Sequence, residues 1–237
     1  MICDPDDWLK ETAVEELVNF AIDNKLDMVV GDKYDVYINS TSQKKVPAKP
    51  EWLKQIKPLK IYSDRKIIQL FSFFNVSPHA KLYKKSISKH IKFPRKVSYT
   101  DFLLYLSSLL KVKGIAYYNH ALAYYLTDRP GNTCTQKNVE KISDCVTVWN
   151  ETFKEINQEN INNNILIYRL YVQFRSVIMS EYGQSTQSIF DDKYWYQILK
   201  ILNVLQNYKN ELYGVDYIED TLSKRIFYMV SYVNHLV

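Results

Sequence analysis

The sequence predicts an α/β domain with a mixed sheet over residues 1–136, followed by an all-helical extension over 137–237. Three observations predict it. Short apolar or alternating runs interleave with helical-period segments in the first part, strand signals vanish after Gln136, and four helical patterns occupy the remainder. With 46% hydrophobic and 24% charged residues the chain can bury a core, which excludes a disordered class. Only 5 Gly and 7 Pro among 237 residues exclude low-complexity and collagen-like sequence, and no internal repeat of fixed period is present.

The elements follow in order. An acidic cluster, Asp4-Pro5-Asp6-Asp7, runs into a helical pattern over 9–24 with Val14, Leu17, Val18, Ala21 and Ile22 on one face. Asp6 or Asp7 would cap it, and Glu11 would lie in its first turn, where the macrodipole favours negative charge. Residues 26–31 form an apolar run closed by Gly31, and 35–39 alternate as a half-buried strand does. Pro47, Pro50 and Pro58 among lysines predict a long surface loop over 40–60. A helix over 63–74 would be capped by Ser63 or Asp64 and bury Ile67, Ile68, Leu70, Phe71 and Phe74. A strand over 80–83, a short helix over 84–90, a helix over 98–111 starting near Asp101, and one or two Tyr-rich strands over 114–126 complete the first part. The tail reads as helices over 138–156, 163–181, 192–208 and 216–233, joined by polar or Gly-containing turns.

The net charge of +5 hides a division along the chain. Between Lys44 and Lys113, 17 lysines and arginines stand against Glu51, Asp64 and Asp101, a local excess of +14. Such a block is either a solvated lysine surface or an attractor for phosphate-bearing small molecules, nucleic acid or anionic lipid headgroups. Few stacking platforms accompany it, so no nucleic-acid partner is expected. Cys3, Cys134 and Cys145 are odd in number and far apart, which supports neither a disulfide framework nor a zinc site and fits a reducing cytoplasm. His79, His90, His120 and His235 lack metal-ligand spacing. The opening MICDPDDWLK has no basic leader or apolar core, so no secretory signal is expected. The apolar stretch over 114–126 is interrupted by Asn119 and His120 and falls short of the ~20 residues that span a bilayer. Tyr182, Tyr194, Trp195, Tyr196 and Tyr208, near Lys193, Lys200 and Lys209, form an amphipathic pattern suited to bundle packing or to contact with a membrane or partner.

Chemistry concentrates at the acidic cluster. An Asp-x-Asp pair on a loop can hold a divalent ion through oxygen ligands, and it can equally cap a helix. The loop lacks the Gly and distal Glu of an EF-hand, and the chain has no Gly-rich phosphate loop or Gly-x-Ser-x-Gly elbow.

Four segments occur in a telling order: Cys3-Asp4-Pro5-Asp6-Asp7-Trp8-Leu9; Pro78-His79-Ala80-Lys81-Leu82-Tyr83-Lys84-Lys85-Ser86 before Phe93-Pro94; Ser98-Tyr99-Thr100-Asp101-Phe102; and Tyr117-Tyr118-Asn119 through Tyr124-Tyr125 to Arg129-Pro130-Gly131-Asn132-Thr133. In this order the chain resembles a family 2 glycosyltransferase over about residues 2–136, with the tail resembling the variable extensions of bacterial members. The resemblance implies a GT-A fold and transfer of a sugar, with inversion, from a nucleotide diphosphate donor to the hydroxyl of a glycan or lipid-linked acceptor. It also implies a setting in bacterial surface polysaccharide biosynthesis, in the cytoplasm at the inner face of the membrane, with peripheral membrane contact. Asp4 and Asp6 match the positions that bind Mn²⁺ or Mg²⁺ and the donor, and Asp101 matches the general base, while Arg129, always charged and able to bond bidentately, is expected to grip the donor diphosphate. Lys81 and Tyr99 are expected on the acceptor side, with His79 in place of a common aromatic there.

Some positions depart from the family pattern. Thr100-Asp101 stands where Glu-Asp is common, His79 where an aromatic is common, and Arg129 and Asn132 where His and Ser are frequent. The family also places a nucleotide-binding half before the Asp-x-Asp motif. The chain therefore resembles the second half of such an enzyme, and an exposed sheet edge would call for a partner chain, an oligomer or the helical tail. The alternative expectation is a non-catalytic binding or regulatory remnant that partners a glycosyltransferase.

Overall fold

The computed structural model describes residues 1–38, 40–130, 140–159, 162–178, 195–208 and 212. Two compact units divide the chain, the first Met1–Phe93 with Leu104–Lys137 and the second Pro94–Leu103 with Asn138–Val237.

Two parallel strands, β2 (Met28–Tyr37) and β6 (Ile115–Leu126), run through the centre of the first unit's six-stranded mixed sheet. Each has two short antiparallel partners on its outer edge. β5 (Lys81–Tyr83) lies along the first half of β2 and β3 (Ser40–Val46) along its second half. On β6, β4 (Ile61–Tyr62) pairs with the start and β1 (Trp8–Leu9) with the end. β6 is the longer path: Gly31 pairs with Tyr118 but Asp32 with Ala121 and Lys33 with Ala123, so extra residues bulge out around Asn119, His120 and Leu122. Helix α1 (Ala13–Asp23) buries Ala13 and Leu17 against Leu26, Val29, Ala80, Ala116, Leu122 and Ala123. A ring chain of Tyr62, Phe71, Phe74 and Tyr117 adds edge and stacked contacts.

Helix α2 (Arg65–Leu70) starts as expected at Asp64, whose carboxylate accepts from the Ile67 N–H at 3.0 Å. Helices α3 (Lys85–Ser88) and α4 (Thr100–Lys111) also form where the pattern puts them.

Three local expectations are corrected. The helix expected over 9–24 begins only at Ala13, because Trp8 and Leu9 are claimed by β6 and Lys10 N–H donates to the Leu122 carbonyl. Its N-cap is Thr12, not Asp6 or Asp7. Gly31 does not end a strand. β2 passes through it, since a Cβ there would stand 3.1 Å from both Cβ and the carbonyl oxygen of Ala80. The Gly31 N–H donates to that carbonyl at 2.8 Å, so the glycine permits close backbone approach. Finally, the first part of the expected loop over 40–60 is strand β3, with six of its seven residues exposed. β2 supplies the backbone partners, and the lysines suit a solvent-facing edge. The loop after β3 is tied to the sheet by buried Asp32, which accepts from Ala48 N–H and Tyr117 O–H, each at 2.8 Å, and pairs with Lys45 at 3.2 Å.

In the second unit, α5 (Glu140–Asn157), α6 (Asn164–Gln173) with a π-helical turn after it, and α7 (Trp195–Asn207) form the helical part. The Trp149 indole N–H donates to the Leu170 carbonyl at 2.9 Å, and Tyr208 O–H to Asn157 at 2.7 Å. The helix expected over 216–233 lies outside the described residues, as do Tyr182, Tyr194, Lys193 and Lys209. Among the described residues no helix is long and apolar enough to cross a membrane. Cys3 is exposed and Cys145 buried, both as free thiols, while Cys134 lies outside the described residues.

Candidate functional site

The acidic cluster turns on itself and enters the sheet at once. Asp7 N–H donates to the Asp4 carbonyl at 3.1 Å, and Trp8 then pairs with Tyr124 near the carboxyl end of β6. That register brings Asp7 beside Leu126, whose N–H donates to Asp7 Oδ1 at 3.0 Å. Ligands of open α/β sheets commonly bind outside the carboxyl ends of parallel strands, which is where this cluster sits.

The second oxygen of Asp7 is held by a residue 72 positions away. His79 Nε2 lies 2.6 Å from Asp7 Oδ2, with the two side chains 3% and 1% exposed. A carboxylate only accepts, so Nε2 carries the proton and, in the neutral imidazole, Nδ1 accepts from Ser77 Oγ at 2.7 Å. The Tyr125 ring packs 5.0 Å from the imidazole, and Lys33 Nζ stands 4.0 Å over that same ring. Ala80, with φ of 52°, turns the chain into β5 while its carbonyl receives Gly31 N–H.

Asp6 turns elsewhere and forms an ion pair with the Arg129 guanidinium, just past the end of β6. Asp4 is exposed. One ligand atom each from Asp4, Asp7 and His79 lies within 4.8 Å of the others. Two carboxylates and an imidazole suit Mn²⁺ better than Mg²⁺, which prefers all-oxygen shells. A cation there would take the place of the Nε2 proton. The field of the cluster is felt by the neighbouring thiol: burial, then Asp7, Asp4 and Asp6, push the Cys3 pKa up.

The structure thus groups Asp4 with Asp7 and His79, whereas the sequence pairs Asp4 with Asp6. The physical reason is that Arg129 neutralises Asp6 while the β1–β6 register buries Asp7. Lys81 is buried, its ammonium donating to the Ser77 carbonyl and lying 5.2 Å from the Tyr105 ring. Tyr99 adopts φ of 64°, and its carbonyl accepts from Phe102 N–H at 3.2 Å. That N–H also lies 2.9 Å from Asp101 Oδ1, in the first turn of α4. Tyr99 and Asp101 belong to the second unit. Asn132 lies outside the described residues. Sequence reasoning missed Asp7 as a site member and Ser77 as the partner of His79. The available signal was Ser77-Pro78-His79 two residues before the Lys-Leu-Tyr strand, but its link to Asp7 exists only through the sheet.

Solved structures of S. aureus TarS are similar to this chain. TarS 1–349 in complex with UDP-GlcNAc matches with a TM-score of 0.56 at 15% identity, over 87% of this chain and 55% of that one. TarS 1–349 in complex with UDP matches with a TM-score of 0.55 at 16% identity, over 97% and 61%. The longer TarS crystal structure gives a TM-score of 0.55 at 16% identity, over 89% of this chain and 33% of that one. The chain therefore spans about half the length of TarS 1–349. The likeness shows the fold, a mixed α/β GT-A-like architecture, as the four ordered segments imply. No protein-family profile and no curated protein matches the sequence.

Proposed function

We propose that the chain belongs to a glycosyltransferase that moves a sugar from a nucleoside diphosphate donor to an acceptor hydroxyl. The observation that carries this reading is the Asp4, Asp7 and His79 cluster at the carboxyl end of the parallel pair in a GT-A-like fold. TarS, the similar protein, has been captured with UDP-GlcNAc and with UDP, which supports a uridine diphosphate donor.

Asp4 and Asp7, with His79, would hold Mn²⁺, which when bound neutralises charge developing on the departing diphosphate. His79 fixes the rotamer of Asp7, and the Leu126 N–H fixes its other oxygen, so the carboxylate is positioned before any ligand arrives. Arg129 holds Asp6 in place and can exchange that carboxylate for a donor phosphate, to which a guanidinium bonds bidentately. Asp101 is the proposed general base: it takes the acceptor hydroxyl proton as the hydroxyl attacks the anomeric carbon with inversion. Tyr99, beside it in sequence, is proposed on the acceptor side. Lys81 acts by supporting the Ser77 carbonyl behind His79 rather than by touching the acceptor. The setting proposed is bacterial surface polysaccharide assembly, cytoplasmic and at the inner membrane face, where the +14 block between Lys44 and Lys113 would meet anionic headgroups.

The test is UDP release from UDP-GlcNAc with Mn²⁺ present, water standing in for the acceptor. The expected result is release that requires Mn²⁺ and is lost in Asp4→Ala and Asp101→Asn. Release unchanged in either variant would overturn the role given to that residue. No release, with the chain folded, would favour a binding module that partners a complete enzyme.

A further inference from the structure

Beside the acidic cluster stands a row of aromatic rings that the proposed chemistry does not use. Trp8, Tyr124 and Tyr34 are directly opposite one another across β1, β6 and β2, and so share one face of the sheet. Trp8 stacks on Tyr124 with centroids 5.4 Å apart and planes 13° apart. Tyr34 stacks on the other side of Tyr124 at 5.3 Å and 20°. The column ends at Lys45, the cross-strand partner of Tyr34, whose ammonium is engaged by the Asn119 carbonyl and Asp32. At its other end, among the described residues, β1 is an edge strand and Trp8 is 46% exposed although it is the largest ring of the three.

An exposed large aromatic is commonplace on a surface, but this one is held. The stack behind it fixes the indole plane, so a ligand meeting the outer face loses no further side-chain entropy in the protein. Trp8 follows the cluster in sequence, where exposed Asp4 and part-exposed Asp6, the latter paired with Arg129, offer acceptor oxygens and negative charge, while Asp7 is buried and engaged by His79 and Leu126. This pairing selects among flat ligands. A pyranose ring presents an apolar C–H face to an aromatic plane and a rim of hydroxyl donors to carboxylates. A nucleotide presents a π-face but brings phosphates, which the carboxylates repel unless a cation intervenes.

We infer that the outer face of Trp8 is a saccharide-stacking subsite, with Tyr124 and Tyr34 as positioning residues behind it. The inference rests on the proposed function only in suggesting that the saccharide is the acceptor glycan; the subsite itself takes neutral pyranose rings.

The experiment is saturation-transfer NMR of the full chain with maltotetraose and with chitotetraose, in the absence of donor and Mn²⁺, alongside the indole N–H resonances of ¹⁵N-labelled protein. The expected result is saturation on sugar C–H protons and a shift of the Trp8 indole resonance, assigned by its loss in Trp8→Ala. Trp8→Ala weakens binding about tenfold and Trp8→Phe weakens it less, as a smaller ring on the same stack should. Thermal melting of each variant checks that the sheet has formed. No Trp8-dependent binding of either tetrasaccharide, or a Trp8 shift produced by UMP and not by sugars, overturns the inference. UDP binding with Mn²⁺ is measured on the same samples. Sugar binding without UDP binding would leave the subsite standing while the donor reading fails, and the reverse would reject the subsite alone.

Discussion

Replacing His79 by Ala removes the side chain that, among the described residues, satisfies Asp7 Oδ2, in a place where water does not reach. Asp7 is 1% exposed, and its remaining partner is the Leu126 N–H on the other oxygen. Leaving one oxygen of a buried carboxylate unpaired costs about 2–3 kcal/mol, and the space vacated by a fully packed imidazole adds about 1 kcal/mol. Asp7→Asn keeps the shape and the Leu126 bond but weakens the bond to His79, at a cost of about 1–2 kcal/mol. If one hydrogen bond underlies both losses, the double variant should be more stable than the sum of the single effects by about 1–2 kcal/mol. Urea unfolding of the four proteins, followed by tryptophan fluorescence and circular dichroism, measures this coupling. Additivity within about 0.5 kcal/mol would mean that the two side chains do not share an interaction, and the prepositioning of Asp7 would be refuted.

Gly31→Ala should destabilise by about 1–3 kcal/mol, because the new Cβ meets the backbone and Cβ of Ala80 at 3.1 Å and neither can swing aside; a thermal melt unchanged from the parent would contradict that contact. Tyr117→Phe strips one of the two hydrogen bonds to Oδ1 of buried Asp32 and should cost about 1–2 kcal/mol while loosening the loop at Ala48, read as faster amide exchange there. Glu16 is held at a pKa of about 2, first by its bond to Lys10 and next by that to Thr12. A folded-state pKa below the unfolded one adds stability that is present above about pH 4.5 and is lost as pH falls toward 2. Glu16→Gln should therefore be less stable than the parent at pH 7 by about 1 kcal/mol, the scale of a solvent-screened pair, with the gap closing on acidification. A gap that persists at pH 2 would assign the loss to packing instead.

Much of the framework could be read from periodicity because burial imposes it. Helix α2 carried its own cap at Asp64, and the apolar runs that became the first halves of β2 and β6 start buried on the sheet. What failed to show was set by distant partners. β3 is written in Ser, Thr, Gln and Lys and exists through the backbone of β2. Leu9 opens the helical pattern in sequence, yet the edge of β6 takes it into the sheet together with Trp8. The acidic cluster was legible as a place where chemistry concentrates, but the division of labour within it was not. Arg129 and His79, 123 and 72 residues from their partners, decide which carboxylate is neutralised and which is buried.

The central claim is that a diphosphate and a cation meet at this cluster, and calorimetric titration with UDP, with and without Mn²⁺, tests it most directly. The account predicts heat of binding only with Mn²⁺, absent in Asp4→Ala, reduced in His79→Ala and Arg129→Ala, and absent when GDP replaces UDP. UDP binding that is indifferent to Mn²⁺, or that survives Asp4→Ala unchanged, would contradict it.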